Sequence, residues 1–204
     1  CLVLFVTIGL PLAFWCGRSA SPMSKAASFL VTLPLVFPPI ALGFILLLIF
    51  GRNGPIGGPI EAITGFRLVF SKTAVTLAAF VAGLPLVVRP LQAAMERTEL
   101  IRLEEAARAN GCGPIRTFFL ITTPQTANTL ISGLLLGTAR ASGEVGVTMM
   151  IGGNISGRTN TLSLEIYNLV SRGEFDDAMK LCAILAVSGL ILWGLLEKYR
   201  VKES

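Results

Sequence analysis

Long apolar runs separated by short polar stretches dominate this chain. Residues 26–50 hold no charged side chain over 25 positions, and residues 117–139 hold none over 23. A helix needs roughly 20 mostly apolar residues to cross the hydrocarbon layer. These runs lack the alternation of period two that marks a barrel strand. In lipid, only helices and closed barrels pair every backbone polar group. The pattern predicts an all-α polytopic membrane protein with about five transmembrane helices, near 1–15, 26–50, 69–91, 125–151 and 178–196. In the third, only 16 residues separate Lys72 from Arg89. They span about 24 Å of helix against about 30 Å of hydrocarbon. Lys72, Arg89 and Lys180 are therefore expected to extend their charged heads to the interface.

Within the spans, Pro34, Pro38, Pro39 and Pro85 remove backbone donors and predict bends. The fourth span carries Gly133, Gly137 and Ala141 at four-residue spacing. Such a stripe lets another helix approach closely, either within one subunit or at a subunit or pore-lining contact. Arg140 and Glu144 stand four apart near its outer end. They are read either as an interfacial ion pair that fixes helix depth or as part of a translocation path or gate. The loop 152–161 is polar and turn-rich and is expected outside. The segment 162–169 is mildly amphipathic and suited to lie along the interface.

Composition supports the membrane class. Hydrophobic residues make up 53% and charged residues 14%, with a mean hydropathy of +0.73. Soluble domains carry about 25% charged residues. There is no His, and Cys1, Cys16, Cys112 and Cys182 form no C-x-x-C pair, so no metal or redox site is expected. A net charge of +5 without a Lys/Arg-rich block points to membrane topology rather than nucleic acid. No acidic residue lies near a span centre, which disfavours an ion-coupled secondary transporter. The absence of His and of clustered carboxylates disfavours an intramembrane enzyme. Cys1 already lies in an apolar run without an initiator Met, so a natural N-terminus further upstream is expected.

The exception to the apolar pattern is a polar island at about 92–124. Residues 92–110 are rich in Glu, Arg, Ala and Leu and contain no Gly or Pro, a helix-favouring composition. Gly111 and Gly113 interrupt it, and Pro114 suits the first position of a new helix. A short helix held crosswise beneath the membrane is expected there, joined to the fourth span at Pro124. Such a charged stretch lies outside lipid, where a soluble partner can grip it.

Glu105-Ala106-Ala107, then Gly111, Ile121 and Pro124, resembles the EAA loop of the permease subunits of ABC importers. Thr123 stands where that pattern usually has Leu. The stretches 33–39, 50–57, 143–148 and 152–162 are similar to the molybdate branch of those permeases, with Val145 and Ser156 where that branch usually has Phe and Pro. The likeness covers nearly the whole chain. It implies one type I importer transmembrane domain over 1–204, multi-pass in the cytoplasmic (inner) membrane, with the island as a cytoplasmic coupling segment. It further implies a second permease copy (a homodimer), separate ATPase subunits gripping the EAA loop, and an extracytoplasmic molybdate- or tungstate-binding protein. Sulfate permeases are close relatives of that branch. No G-x-x-x-x-G-K-[ST] motif is present, so ATP and Mg would bind the partner ATPase, with no cofactor in this chain. With the island inside, ten basic residues fall on the cytoplasmic side and six outside, counted over the loops. That bias agrees with the positive-inside rule and puts the C-terminus in the cytoplasm.

Overall fold

The computed structural model describes residues 1–19 and 21–200. Every regular element among them is helical. The first helix, α1 (Leu2–Arg18), contains a π turn at Phe5–Gly9, in which Leu10 N–H donates to Phe5 O. Pro11 follows directly. A proline ring clashes with the carbonyl four residues back, and the wider π turn relieves the crowding.

The apolar run 26–50, expected as one span, is two helices: α2 (Pro22–Val36) and α3 (Pro39–Phe50). The Pro38-Pro39 pair does more than bend it. A residue before proline is pushed out of the helical region. Phe37 accordingly has ψ 140°, and Pro38 has ψ 132°. Pro34, by contrast, is carried inside α2. Ser21 caps α2 by accepting from Ser24 N–H at 3.2 Å.

After a short helix, α4 (Gly57–Thr64), the chain enters α5 (Lys72–Met95), the central element. Ser71 caps it, accepting from Ala74 N–H at 3.2 Å. Its small buried residues Ala74, Ala78, Ala82 and Gly83 allow other helices to close around it. The helix α6 (Thr98–Ala109) follows, separated from α5 by Glu96 and Arg97, so residues 92–110 are not one helix. Next, α7 (Pro114–Thr117) runs through a second π turn, Phe118–Thr122, into α8 (Thr123–Ser142). This π turn also precedes a proline, Pro124, and its Thr123 N–H donates to Phe118 O.

The fourth run also divides. It stops at Gly143 and resumes as α9 (Gly146–Gly152). Gly146 sits where a Cβ would lie 2.8 Å from Pro39 Cβ, so α9 can close onto α3 only with glycine there. Finally α10 (Leu162–Arg172), capped by Thr161, leads through left-handed Gly173 to α11 (Phe175–Arg200).

Gly133 and Gly137 face α5. A Cβ on Gly83 would lie 2.4 Å from Gly137 O and 2.6 Å from the Phe5 ring. The stripe thus provides close packing of α8 on α5, with Ala141 against the neighbouring Phe5, Phe80 and Val87 cluster. Among the described residues, two uninterrupted helices, Lys72–Met95 and Phe175–Leu195, are long and apolar enough to cross a membrane. Three shorter apolar helices, α1, α2 and α3, accompany them. In α11 only 6% of the apolar window is buried within the chain, and Met179, Ile184, Val187, Leu190 and Trp193 are exposed. Water would penalise such a surface; hydrocarbon does not.

Candidate coupling site

The polar island folds as a helix, a tight turn and a second helix. In α6, Glu99 lies in the first turn and Arg108 in the last, complementing the helix dipole at both ends. The helix ends in a Schellman turn. Cys112 N–H donates to Ala107 O at 3.0 Å, and Gly111 N–H to Arg108 O at 3.0 Å. This turn requires Gly111 at φ +81°, a left-handed conformation that residues with a Cβ adopt at a cost.

The motif residues divide by side. Glu105, Ala106 and Gly111 are exposed, and Ala107 is half-buried. Ile121, in the π turn, is half-buried, while Pro124 is exposed at the second position of α8. Ile101, one turn before Glu105, is exposed on the same face, and Leu103 and Ile115 add exposed apolar surface elsewhere on the segment, Ile115 at 76% exposure. These exposed apolar side chains offer area that a protein partner could bury, with the charged residues at its rim.

The sequence reading passed over Glu104, next to the motif glutamate. Its side chain is only 6% exposed. Its Oε1 accepts from Arg18 Nη2 at the end of α1 and from Thr122 Oγ1 in the π turn. Its Oε2 has Arg108 Nη2 at 3.9 Å. A cavity of about 390 Å³ opens beside it, lined in part by Phe14, Ile101, Pro114 and Phe118. The local signal was the spacing Leu100, Glu104, Arg108, which places an apolar residue and a carboxylate on one helical face. Arg18, 86 residues away, was not readable from that spacing.

At the other end of α8, Arg140 Nη1 lies 2.6 Å from Glu144 Oε2. Glu144 is buried at 3% exposure, and its Oε1 accepts from Val147 N–H at 2.8 Å. The carboxylate therefore ties the end of α8 to the start of α9. Ser163 Oγ donates to Ser142 O at 2.8 Å, which adds α10 to the same junction. Arg140 remains about one-third exposed.

A further cavity, about 590 Å³, lies where α1, α2 and α5 meet near the polar island. Lys25, Arg89, Thr32 and the buried Ser24 and Ser28 line it. Arg89 Nη1 donates to Ser28 Oγ at 2.9 Å and to Gln92 Oε1 at 3.1 Å, which orients the guanidinium.

Apolar helices interrupted by proline, with an exposed charged helix-turn-helix between them, are the architecture of an integral membrane protein. Over residues 9–196 the chain matches the family described as binding-protein-dependent transport system inner membrane component, and it belongs to that family. It is 37% identical over 203 residues to the molybdenum transport system permease protein ModB of Azotobacter vinelandii, covering 99% of this chain and 89% of that protein. It is 37% identical over 191 residues to ModB of Escherichia coli K12, covering 93% and 83%. Sulfate permease 2, chloroplastic, of Chlamydomonas reinhardtii is 33% identical over 209 residues, covering 100% of this chain and 56% of that protein.

Proposed function

We propose that this chain is the membrane-spanning permease of an ATP-driven importer that carries molybdate, or the isosteric tungstate, into the cytoplasm. The observation that carries the assignment is near-full-length similarity to permeases named for molybdenum transport. The exposed face of Glu105, Ala106 and Gly111 supports docking of a separate ATPase subunit there, with Ile121 and Pro124 shaping the helix behind it. The cavity bearing Lys25 and Arg89 supports an anionic cargo.

Two copies of the permease, two ATPases and an external molybdate-binding protein make the working unit. The C-terminus is cytoplasmic, on the same side as the coupling segment. ATP closes the ATPases, the exposed helix moves with them, and the spans alternate between inward- and outward-open states. By linkage, docking of the loaded binding protein outside alters ATP hydrolysis inside. Arg140 and Glu144 would set the rigid outer end of this path. A sulfate reading is favoured by the Chlamydomonas relative.

The test is reconstitution in proteoliposomes with the candidate ATPase and binding protein. ATP-dependent uptake of labelled molybdate is expected, with sulfate competing weakly. Uptake without ATP would sink the importer assignment, and sulfate uptake that excludes molybdate would select the second reading.

A further inference from the structure

We infer that Glu104 is the positioning residue that makes the exposed helix α6 move as one body with α1 and with the base of α8. The inference rests on the importer function proposed above. Two adjacent glutamates in α6 have opposite fates. Glu105 is exposed and open to a partner, whereas Glu104 is turned inward. Its carboxylate collects Arg18 from α1, Thr122 from the π turn and, at 3.9 Å, Arg108 from its own helix.

Burial makes these links matter. A buried carboxylate deprived of its cation is left uncompensated, so the structure resists separating the two. Hydrogen bonds to an ionised group are also shorter and stronger than neutral ones. The Phe14 and Phe118 rings, 4.6 Å apart between centroids, already pack α1 against the π turn, while α6 faces the cavity beside them, where Glu104 supplies the link. Beside Glu104, Leu100 is the other buried side chain of α6. A force on α6 therefore reaches α1 through Arg18 and α8 through Thr122.

The experiment uses the reconstituted complex and three variants: Glu104→Gln, Arg18→Gln and the double substitution. Glutamine keeps the size of Glu104 and an acceptor for Thr122 but removes the charge that holds Arg18. Three quantities are measured: ATPase association with the permease, ATP hydrolysis, and molybdate imported per ATP. Association within about twofold of the unsubstituted complex is expected, with hydrolysis retained. Molybdate imported per ATP is expected to fall at least about tenfold in each single variant. The double variant is expected to be no worse than either single one, as two residues of one link require.

Loss of ATPase association in Glu104→Gln would overturn the inference, since Glu104 would then belong to the docking face. So would uptake and hydrolysis falling together in proportion to folded permease, or additive losses in the double variant. Should Glu104→Gln fail to fold, Arg18→Gln alone carries the same ratio test. An unsubstituted complex that imports no molybdate with ATP would refute the importer function instead, and that arm is read separately.

Discussion

Replacing Gly111 separates two reasons for a glycine in the coupling segment. The residue has φ +81°, and a Cβ built there meets nothing within 4 Å. Within this chain the cost of a side chain is therefore conformational rather than steric. Left-handed backbone costs an L-residue about 1–2 kcal/mol, and Asn is the non-glycine residue best suited to it at this helix-end position. If that strain must be overcome each time the segment docks, Gly111→Ala weakens ATPase binding by about 5- to 30-fold, since about 1.4 kcal/mol is tenfold. The expected order of affinity is Gly, then Asn, then Ala, then Val. The assay is titration of fluorescent ATPase against permease in nanodiscs, with hydrogen exchange at the Cys112 amide reporting the turn itself. Equal losses for Asn and Ala would refute the conformational account and point to a partner surface that tolerates no side chain. Unchanged affinity in all three would remove Gly111 from the docking site.

Three further outcomes follow from the geometry. Gly83→Ala places a Cβ 2.4 Å from Gly137 O, so α5 and α8 must separate; a loss of about 1–3 kcal/mol is expected from such overpacking and is measured as a lowered thermal midpoint in detergent. Arg140→Gln leaves Glu144, 3% exposed, without its cation; the expected cost is about 3–5 kcal/mol, and proteolysis should open the chain first near residues 143–146. At the start of α10, the side-chain amides of Asn160 and then Asn168, followed by Arg172, hold the Glu165 carboxyl below its ordinary range. Because the folded-state value is the lower one, the stabilisation is complete above the usual carboxylate range and disappears as pH falls through the depressed value. Hydrogen exchange around 154–168 should rise in that acid window, and Glu165→Gln should remove most of the pH dependence.

Features fixed by local chemistry were the ones legible in the sequence. The charged stretch folds as the expected helix, turn and second helix, and Gly111 and Pro114 marked its turn correctly because φ preference acts within two residues. The break at Pro38 was underestimated as a bend, although the rule that acts on Phe37 is equally local. The division after Ser142 was missed for a different reason. It depends on Glu144 turning back to cap α9 and on Gly146 meeting Pro39, more than a hundred residues earlier in the chain. Glu104 illustrates the same limit. It drew no notice in the sequence, and Arg18 and Thr122, brought together by the fold, make its burial tolerable.

The π turn at Phe118–Thr122 has a geometric consequence for the whole coupling segment. Each residue of an α-helix advances the chain by about 100° around the axis. The π turn takes up one extra residue within a single wider turn, so α8 and the segment on its N-terminal side keep nearly the phase of a continuous helix. Deleting one residue there would restore regular winding and leave α6 at nearly the same azimuth, whereas adding one residue where the winding stays regular would swing it by about 100°. The turn is thus the place where the segment between Pro114 and Pro124 can absorb a change of length without rotating the face it presents.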